Sequence, residues 1–315
     1  MAISDRETSQ ILPSRLVRSG GFDWKRFQEG GVRNICLLCA TICVVTTVGI
    51  LWVLFSQSAP FFANVPWAEF LTGTKWTPNN QPPSYGILPL VAGTLLITLG
   101  AGIIAIPIGL LAAIFLSEYA PAKVRAILKP ILELLAGIPS VVFGYFALFT
   151  VTPYLRSIFP NVMQYNAASA AIVVGIMILP LVSSLCEDAL GAVPKALREG
   201  AYGLGATKLE VCTRIVVPAA LSGVMASFIL ALSRALGETM AVTLAAGSTP
   251  TMTLDPSKSV YTMTAYIVSA ARGDAAFGSV RYNSIFAVGV ALFLFTMAMN
   301  LLAARLVKRF RQVYS

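Results

Sequence analysis

Not one histidine occurs in the 315 residues. Zinc sites and Ser–His triads in their usual forms are therefore excluded. Charge is scarce as well: 12% of residues, against about 25% in an average soluble domain. No Gly-x-x-x-x-Gly-Lys-[Ser/Thr] string is present, so the chain has no P-loop and is not expected to hydrolyse ATP. Gly200, Gly203 and Gly205 do not follow a strand and make no dinucleotide fingerprint. The five cysteines leave little for redox chemistry. Cys36, Cys39 and Cys43 share one face of an apolar run, and small apolar residues in a helix explain them better than a metal or redox site. Cys186 and Cys212 are expected as reduced cytoplasmic thiols.

What is abundant is apolar sequence, 57% of the chain. It gathers into six runs of membrane-span length: 34–55, 87–116, 128–150, 167–185, 219–246 and 284–307. The first run begins at Asn34 and is a full span, so it is expected to be an anchor and not a cleaved leader. Of the 23 Lys and Arg, 17 flank these runs on one side and five on the other, with Arg234 inside a run. The positive-inside rule places both termini in the cytoplasm. The same bias accounts for the net charge of +9, which therefore does not point to nucleic acid.

The expected organisation is a cytoplasmic tail at 1–33, a first span and outer loop at 34–86, a membrane core at 87–307 and a short cytoplasmic tail at 308–315. The outer loop is rich in proline, and its Trp67 and Trp76 suit the headgroup level. A second outer segment, 247–283, predicts a short helix over 263–271 that ends near Gly273. Pro107, Pro139 and Pro180 are expected to interrupt three spans, with Gly137 adding to the break before Ser140. Such breaks are tolerated where the freed backbone is buried in protein or lines a wet cavity.

Between the fourth and fifth runs lies a polar hairpin, 194–218. Pro194 suits the first turn of a helix that runs to about Leu204. Gly205 suits the left-handed residue that stops it, and Thr207 with Glu210 forms a capping box that opens a second helix. Two readings fit: a helix shaped to dock in a partner's groove, or an ordinary hairpin packed on its own bundle.

Arg234 and Glu238 are i and i+4 in the fifth run, so on a continuous helix they share a face. An arginine at bilayer depth costs at least about 2.5–3.5 kcal/mol and must face protein or water. As a binding site, its planar fork matches an oxyanion, while Glu238 holds the fork or accepts a hydrogen bond from a protonated phosphate oxygen. As structure, the two form an ion pair that locks helices together. Glu133 either pairs with Arg234 or snorkels to the interface. Ser140, Ser233 and Thr239 supply hydroxyls that either donate to a substrate or bond their own backbone.

The hairpin reads Glu199-Gly200-Ala201, three residues, Gly205, nine residues, Ile215-x-x-Pro218. This resembles the EAA loop of ABC-importer permeases, with Gly200 and Val217 in place of the usual Ala and Leu. Gly200 loosens the helix by up to about 1 kcal/mol. Four further strings are similar to PstC-type phosphate-importer permeases: Leu116-Ser117-Glu118-Tyr119-Ala120, Leu135-Ala136-Gly137-Ile138-Pro139-Ser140, Arg234 to Val242, and Tyr266-Ile267-Val268. The resemblance covers roughly residues 87–307. It implies an all-α bundle of six transmembrane helices with the ABC type I importer fold, in a bacterial inner membrane. It implies that Glu199, Gly200, Ala201 and Gly205 couple to an ATPase. It implies that Arg234, Glu238, Thr239, Ser140 and Glu133 serve phosphate. Expected partners are a PstA-like second permease, a PstB-like ATPase dimer that holds ATP and Mg, and a PstS-like binding protein; no cofactor is expected in this chain. A secondary transporter or channel also explains the buried charges but leaves the hairpin without a task. An intramembrane enzyme lacks a base or nucleophile beyond Arg234 and Glu238.

Overall fold

A computed structural model of the chain describes residues 24–273 and 275–310. Residues 1–23 of the expected N-terminal tail and 311–315 of the C-terminal tail lie outside the described residues. The chain divides into two compact units, 1–52 and 53–315. In the first, the described residues belong to helix α1 (Trp24–Asn64); residues 31–50 are exposed, Cys36, Cys39 and Cys43 among them. All that follows concerns the second unit.

After α1 the chain forms α2 (Trp67–Thr72), a two-stranded antiparallel hairpin of β1 (Trp76–Thr77) and β2 (Ser84–Tyr85), and α3 (Leu88–Ile114) with a wide π turn at Phe115–Tyr119. Helix α4 is Ala122–Ala136. Helix α5 (Ser140–Phe146), a π turn and α6 (Thr152–Ile158) then run as one rod. Helix α7 is Ala167–Gly191. Next come α8 (Lys195–Gly203), α9 (Lys208–Val211), a π turn and α10 (Val217–Ala219). The chain closes with α11 (Leu221–Leu236), α12 (Met240–Ala245), α13 (Met263–Arg272) and α14 (Val280–Phe310).

Among the described residues five helices are long and apolar enough to cross a membrane, and the bent pair Lys208–Ala219 with Leu221–Leu236 brings the number to six. Two of the six expected runs differ from expectation. The third begins at Ser140, because Gly137 and Pro139 end α4. Helix α4, which takes the residues 128–136 expected in that span, is a basic amphipathic helix with no buried side chain. The fifth run is broken after Leu236. Pro107 and Pro180, expected as interruptions, lie inside continuous α3 and α7. A proline removes one N–H bond and bends a helix, but it need not end it.

Helix α7 is the central element. Its N-terminus is fixed by Asn166, fully buried, whose side chain accepts from Ser169 N at 2.7 Å. It packs along α3 through small residues, which lets the backbones approach closely. A Cβ on Gly109 would lie 2.7 Å from Val182, and one on Gly175 would lie 3.1 Å from the Ala101 carbonyl.

A second, aromatic core forms where α2, the β hairpin and α13 meet the start of α3. Trp76, Phe70, Tyr85 and Tyr266 pack edge to face with ring centroids 4.8–6.5 Å apart. Trp76, expected at the headgroups, is 1% exposed and is a core residue instead. Trp67 is exposed and stacks on Phe62. Helix α3 and its π turn, 32 residues or about 48 Å, run from this aromatic end to the α8–α9 hairpin, where Tyr119 lies under the Lys208 ammonium. The two ends are thus opposite faces of the bundle.

Candidate functional site

Two places answer to the residues singled out in the sequence. The first is the α8–α9 hairpin. Pro194 precedes the first turn of α8, and a Schellman motif closes the helix: Ala206 N donates to Ala201 O at 3.1 Å, and Gly205 N to Tyr202 O at 3.0 Å. Gly205 has φ +85°, as its turn requires. Thr207 and Glu210 form the reciprocal capping box, with Glu210 Oε2 accepting from Thr207 N at 2.9 Å. Those bonds from Thr207 hold the Glu210 carboxyl below its ordinary range. Ala201 and Val211 are buried against the bundle. Glu199 and Gly200 are exposed, as are Tyr202, Leu204 and Leu209, with Leu204 at 91%. The hairpin therefore presents a capped tip with an apolar crown, flanked by exposed Glu199, Lys195 and Lys208.

The second place is the break after α11. Helix α11 ends at Leu236 with Gly237 as its cap, and α12 starts at Met240. Glu238, 6% exposed, sits in the break: its Oε1 accepts from Ala241 N at 3.4 Å and its carbonyl accepts from Thr264 Oγ1 at 2.8 Å. Arg234 is exposed in the last turn of α11. The expected shared face does not exist, because the helix stops between the two residues. No Arg234–Glu238 ion pair forms among the described residues, nor does Glu133 pair with Arg234. Glu133 is exposed on α4, in a groove with Arg125 and Lys129. Thr239 Oγ1 donates to the Gly237 carbonyl, and Ser233 donates to Asn300 of α14.

Ser140 opens α5, which packs on α12; a Cβ on Gly144 would lie 2.9 Å from Leu244. Asn166 ties both rods together at their far ends, donating through its N–H to Ala245 O and through Nδ2 to Thr152 Oγ1. Helices α5 and α12 thus run in the same direction, and the two breaks, at Gly137–Pro139 and Gly237–Thr239, lie at the same end of the pair.

Residues 105–312 match the family described as "Binding-protein-dependent transport system inner membrane component". The chain belongs to that family. Over 309 residues this permease is 34% identical to the probable ABC transporter permease protein YqgH of Bacillus subtilis, covering 96% of the chain and 99% of the relative. It is 34% identical over 260 residues to the phosphate transport system permease protein PstC of Mesorhizobium japonicum, 76% of this chain and 78% of that one. Its fold is similar to the solved bacterial alginate ABC transporter in complex with an alginate pentasaccharide-bound periplasmic protein, at a TM-score of 0.65 and 17% identity over 93% of this chain and 99% of the other. The permease is an ABC-importer component of the inner membrane, multi-pass, with the helical type I importer fold.

Sequence reasoning missed how the permease anchors its hairpin. Arg198, mostly buried, donates to Glu118 Oε1 at 2.9 Å, to Val193 O at 2.6 Å and to Leu190 O at 2.8 Å. One guanidinium thereby ties α8 to the end of α3 and to the carbonyls that finish α7. Glu187, 0% exposed in α7, meets Arg125 at 2.5 Å and Lys129 at 3.2 Å from α4. Their N–H groups are not aligned on its oxygens, so these are ion pairs without good hydrogen bonds. The available signal was a carboxylate closing two of the apolar runs, Glu118 after α3 and Glu187, followed by Asp188, near the end of α7. Partners on other elements cannot be assigned from spacing.

Proposed function

We propose that the permease is the PstC-like half of an ATP-driven phosphate importer. The observation that carries this reading is the hairpin tip, with Glu199, Leu204 and Leu209 exposed around a positive-φ Gly205 and the base held by Arg198. An exposed apolar crown on a rigid stem is suited to a groove on a partner. In this reading the groove belongs to an ATPase subunit, one of two that bind ATP and Mg, and Glu199, Gly200, Ala201 and Gly205 form the contact. The hairpin and both termini are then cytoplasmic, and the aromatic end faces outward, toward a phosphate-binding protein. A second, PstA-like permease completes the path within residues 87–307.

Phosphate as substrate is supported by relatives named PstC and by an exposed guanidinium at the α11 break. Arg234 offers its fork to the ion, with Ser140 as a hydroxyl donor at the neighbouring break, while the Thr239 hydroxyl is held by the Gly237 carbonyl. Glu238 shapes the break: it caps α12 and accepts from Thr264, and its role is to hold the turn that presents Arg234.

The test is purification from native membranes followed by reconstitution. ATPase subunits are expected to co-purify, and phosphate uptake is expected to require ATP. Uptake without ATP would mark a secondary transporter, and ATP-driven uptake of molybdate but not phosphate would mark another oxyanion importer.

A further inference from the structure

The last two turns of α7 carry a fully buried carboxylate that neither the hairpin tip nor the α11 break uses. Glu187 meets two cations of α4, Arg125 at 2.5 Å and Lys129 at 3.2 Å, and Lys129 also lies 3.4 Å from Asp188. Arg125 and Lys129 are i and i+4, so they share one face of α4. Ile127, Ile131 and Leu134 lie on the opposite side and are exposed, and no side chain of α4 is buried. The helix therefore turns its charged face to α7, and the contact that fixes it there is ionic. A buried carboxylate is costly without its cations, so the Arg125–Lys129 turn must stay over Glu187. Each end of α4 is a break. Pro121 precedes the helix, and Gly137 and Pro139 separate it from α5, which Ser140 opens. The same end of α7 also holds the hairpin, because the Leu190 and Val193 carbonyls accept from Arg198 of α8. The end of α7 is thus joined to the hairpin through Arg198 and to the Ser140 break through Glu187 and α4.

We propose that Glu187 is a positioning residue that carries the state of the hairpin to the Ser140 break. It fixes α4 on the end of α7, and α4, 15 residues or about 22 Å of helix, passes a shift of that end on to Gly137–Pro139. In this role Glu187 touches neither phosphate nor an ATPase. What the break does rests on the transport reading; that this carboxylate holds α4 does not.

The full chain, with the subunits that accompany it, is reconstituted in proteoliposomes, and phosphate uptake is measured beside ATP hydrolysis. Glu187→Gln keeps the shape of the side chain and removes its charge. It is expected to retain ATP hydrolysis and to move roughly tenfold less phosphate per ATP. In a cysteine-free background, a nitroxide on a single cysteine at Ile131, exposed on α4, is expected to gain mobility in the same variant. The triple variant Arg125→Gln/Lys129→Gln/Glu187→Gln separates positioning from stability. It strands no buried charge, and exposed Asp188 stays solvated. Its thermal midpoint is expected to return toward the parental value, while phosphate per ATP stays low and the label stays mobile. Parental mobility of the Ile131 label in Glu187→Gln overturns the proposal. So does a parental ratio of phosphate to ATP in that variant. Recovery of the ratio in the triple variant also overturns it and leaves a structural ion pair. A parent without ATP-driven phosphate uptake fails the transport reading instead, and the Ile131 label then decides whether Glu187 holds α4.

Discussion

Arg234 and Gly205 concentrate the functional reading at the scale of single residues. Arg234 is an exposed cation at the end of α11, so its contribution is the planar fork and the charge. Arg234→Lys keeps the charge and loses the fork, and phosphate uptake is expected to fall sharply; Arg234→Gln is expected to fall further. Assembly with the ATPase should survive in both, which co-purification checks. Wild-type uptake by both variants would remove Arg234 from the path. Gly205 is different in kind. A Cβ there meets no atom, so space is not the constraint; its φ of +85° is. Gly205→Val is expected to strain the turn by about 1–2 kcal/mol, since a β-branched residue resists that region. Substrate-stimulated ATP hydrolysis should be lost while insertion persists. Normal stimulation in Gly205→Val and in Glu199→Lys would sink the docking reading.

Two contacts between elements hold the base of the hairpin and the centre of the bundle together. Arg198 spans α8, α7 and α3, with its side chain 17% exposed and that of Glu118 7%. Removing one member of such a pair strands the other, at about 3–5 kcal/mol. Arg198→Ala and Glu118→Ala are each expected to lower the thermal midpoint markedly, and the double variant is expected to cost less than the sum. Strict additivity in that cycle would show that the pair does not couple. The α3–α7 contact is steric. Gly109→Leu drives a side chain into Val182 and Ser183 and is expected to prevent stable accumulation in the membrane.

The unit from residue 53 onward has two opposite faces joined by α3 and its π turn. The Lys and Arg bias predicts that the hairpin face is cytoplasmic and the aromatic face outside. In a cysteine-free background, single cysteines at Ser157 and Ser257 are expected to label from outside with an impermeant maleimide. One at Lys195, on the hairpin, should label only after permeabilisation. The reverse pattern would invert the topology and with it the assignment of the ATPase to the hairpin.

The hairpin could be read almost residue by residue from sequence, because its determinants are local. A proline at a helix start, a glycine at a left-handed stop and a Thr–Glu capping box each act over four residues or fewer; Gly205 and the capping box take their expected conformations, and Pro194 falls one residue before the first turn. Span count and helical class were legible for a similar reason, since apolar run length answers directly to bilayer thickness. The break in the fifth run was not legible. Its Gly237–Thr239 turn is held by Glu238 O accepting from Thr264, 26 residues later, and that contact separates Arg234 from the carboxylate expected beside it. The pairing of Glu187 with Arg125 and Lys129, and the burial of Trp76 with its orphan N–H, arise the same way. Composition and short spacings determined that this chain crosses the membrane repeatedly and carries a shaped hairpin. Only tertiary packing decided which charges meet, because a buried charge or donor settles with whatever partner the fold brings within about 4 Å, however distant in sequence.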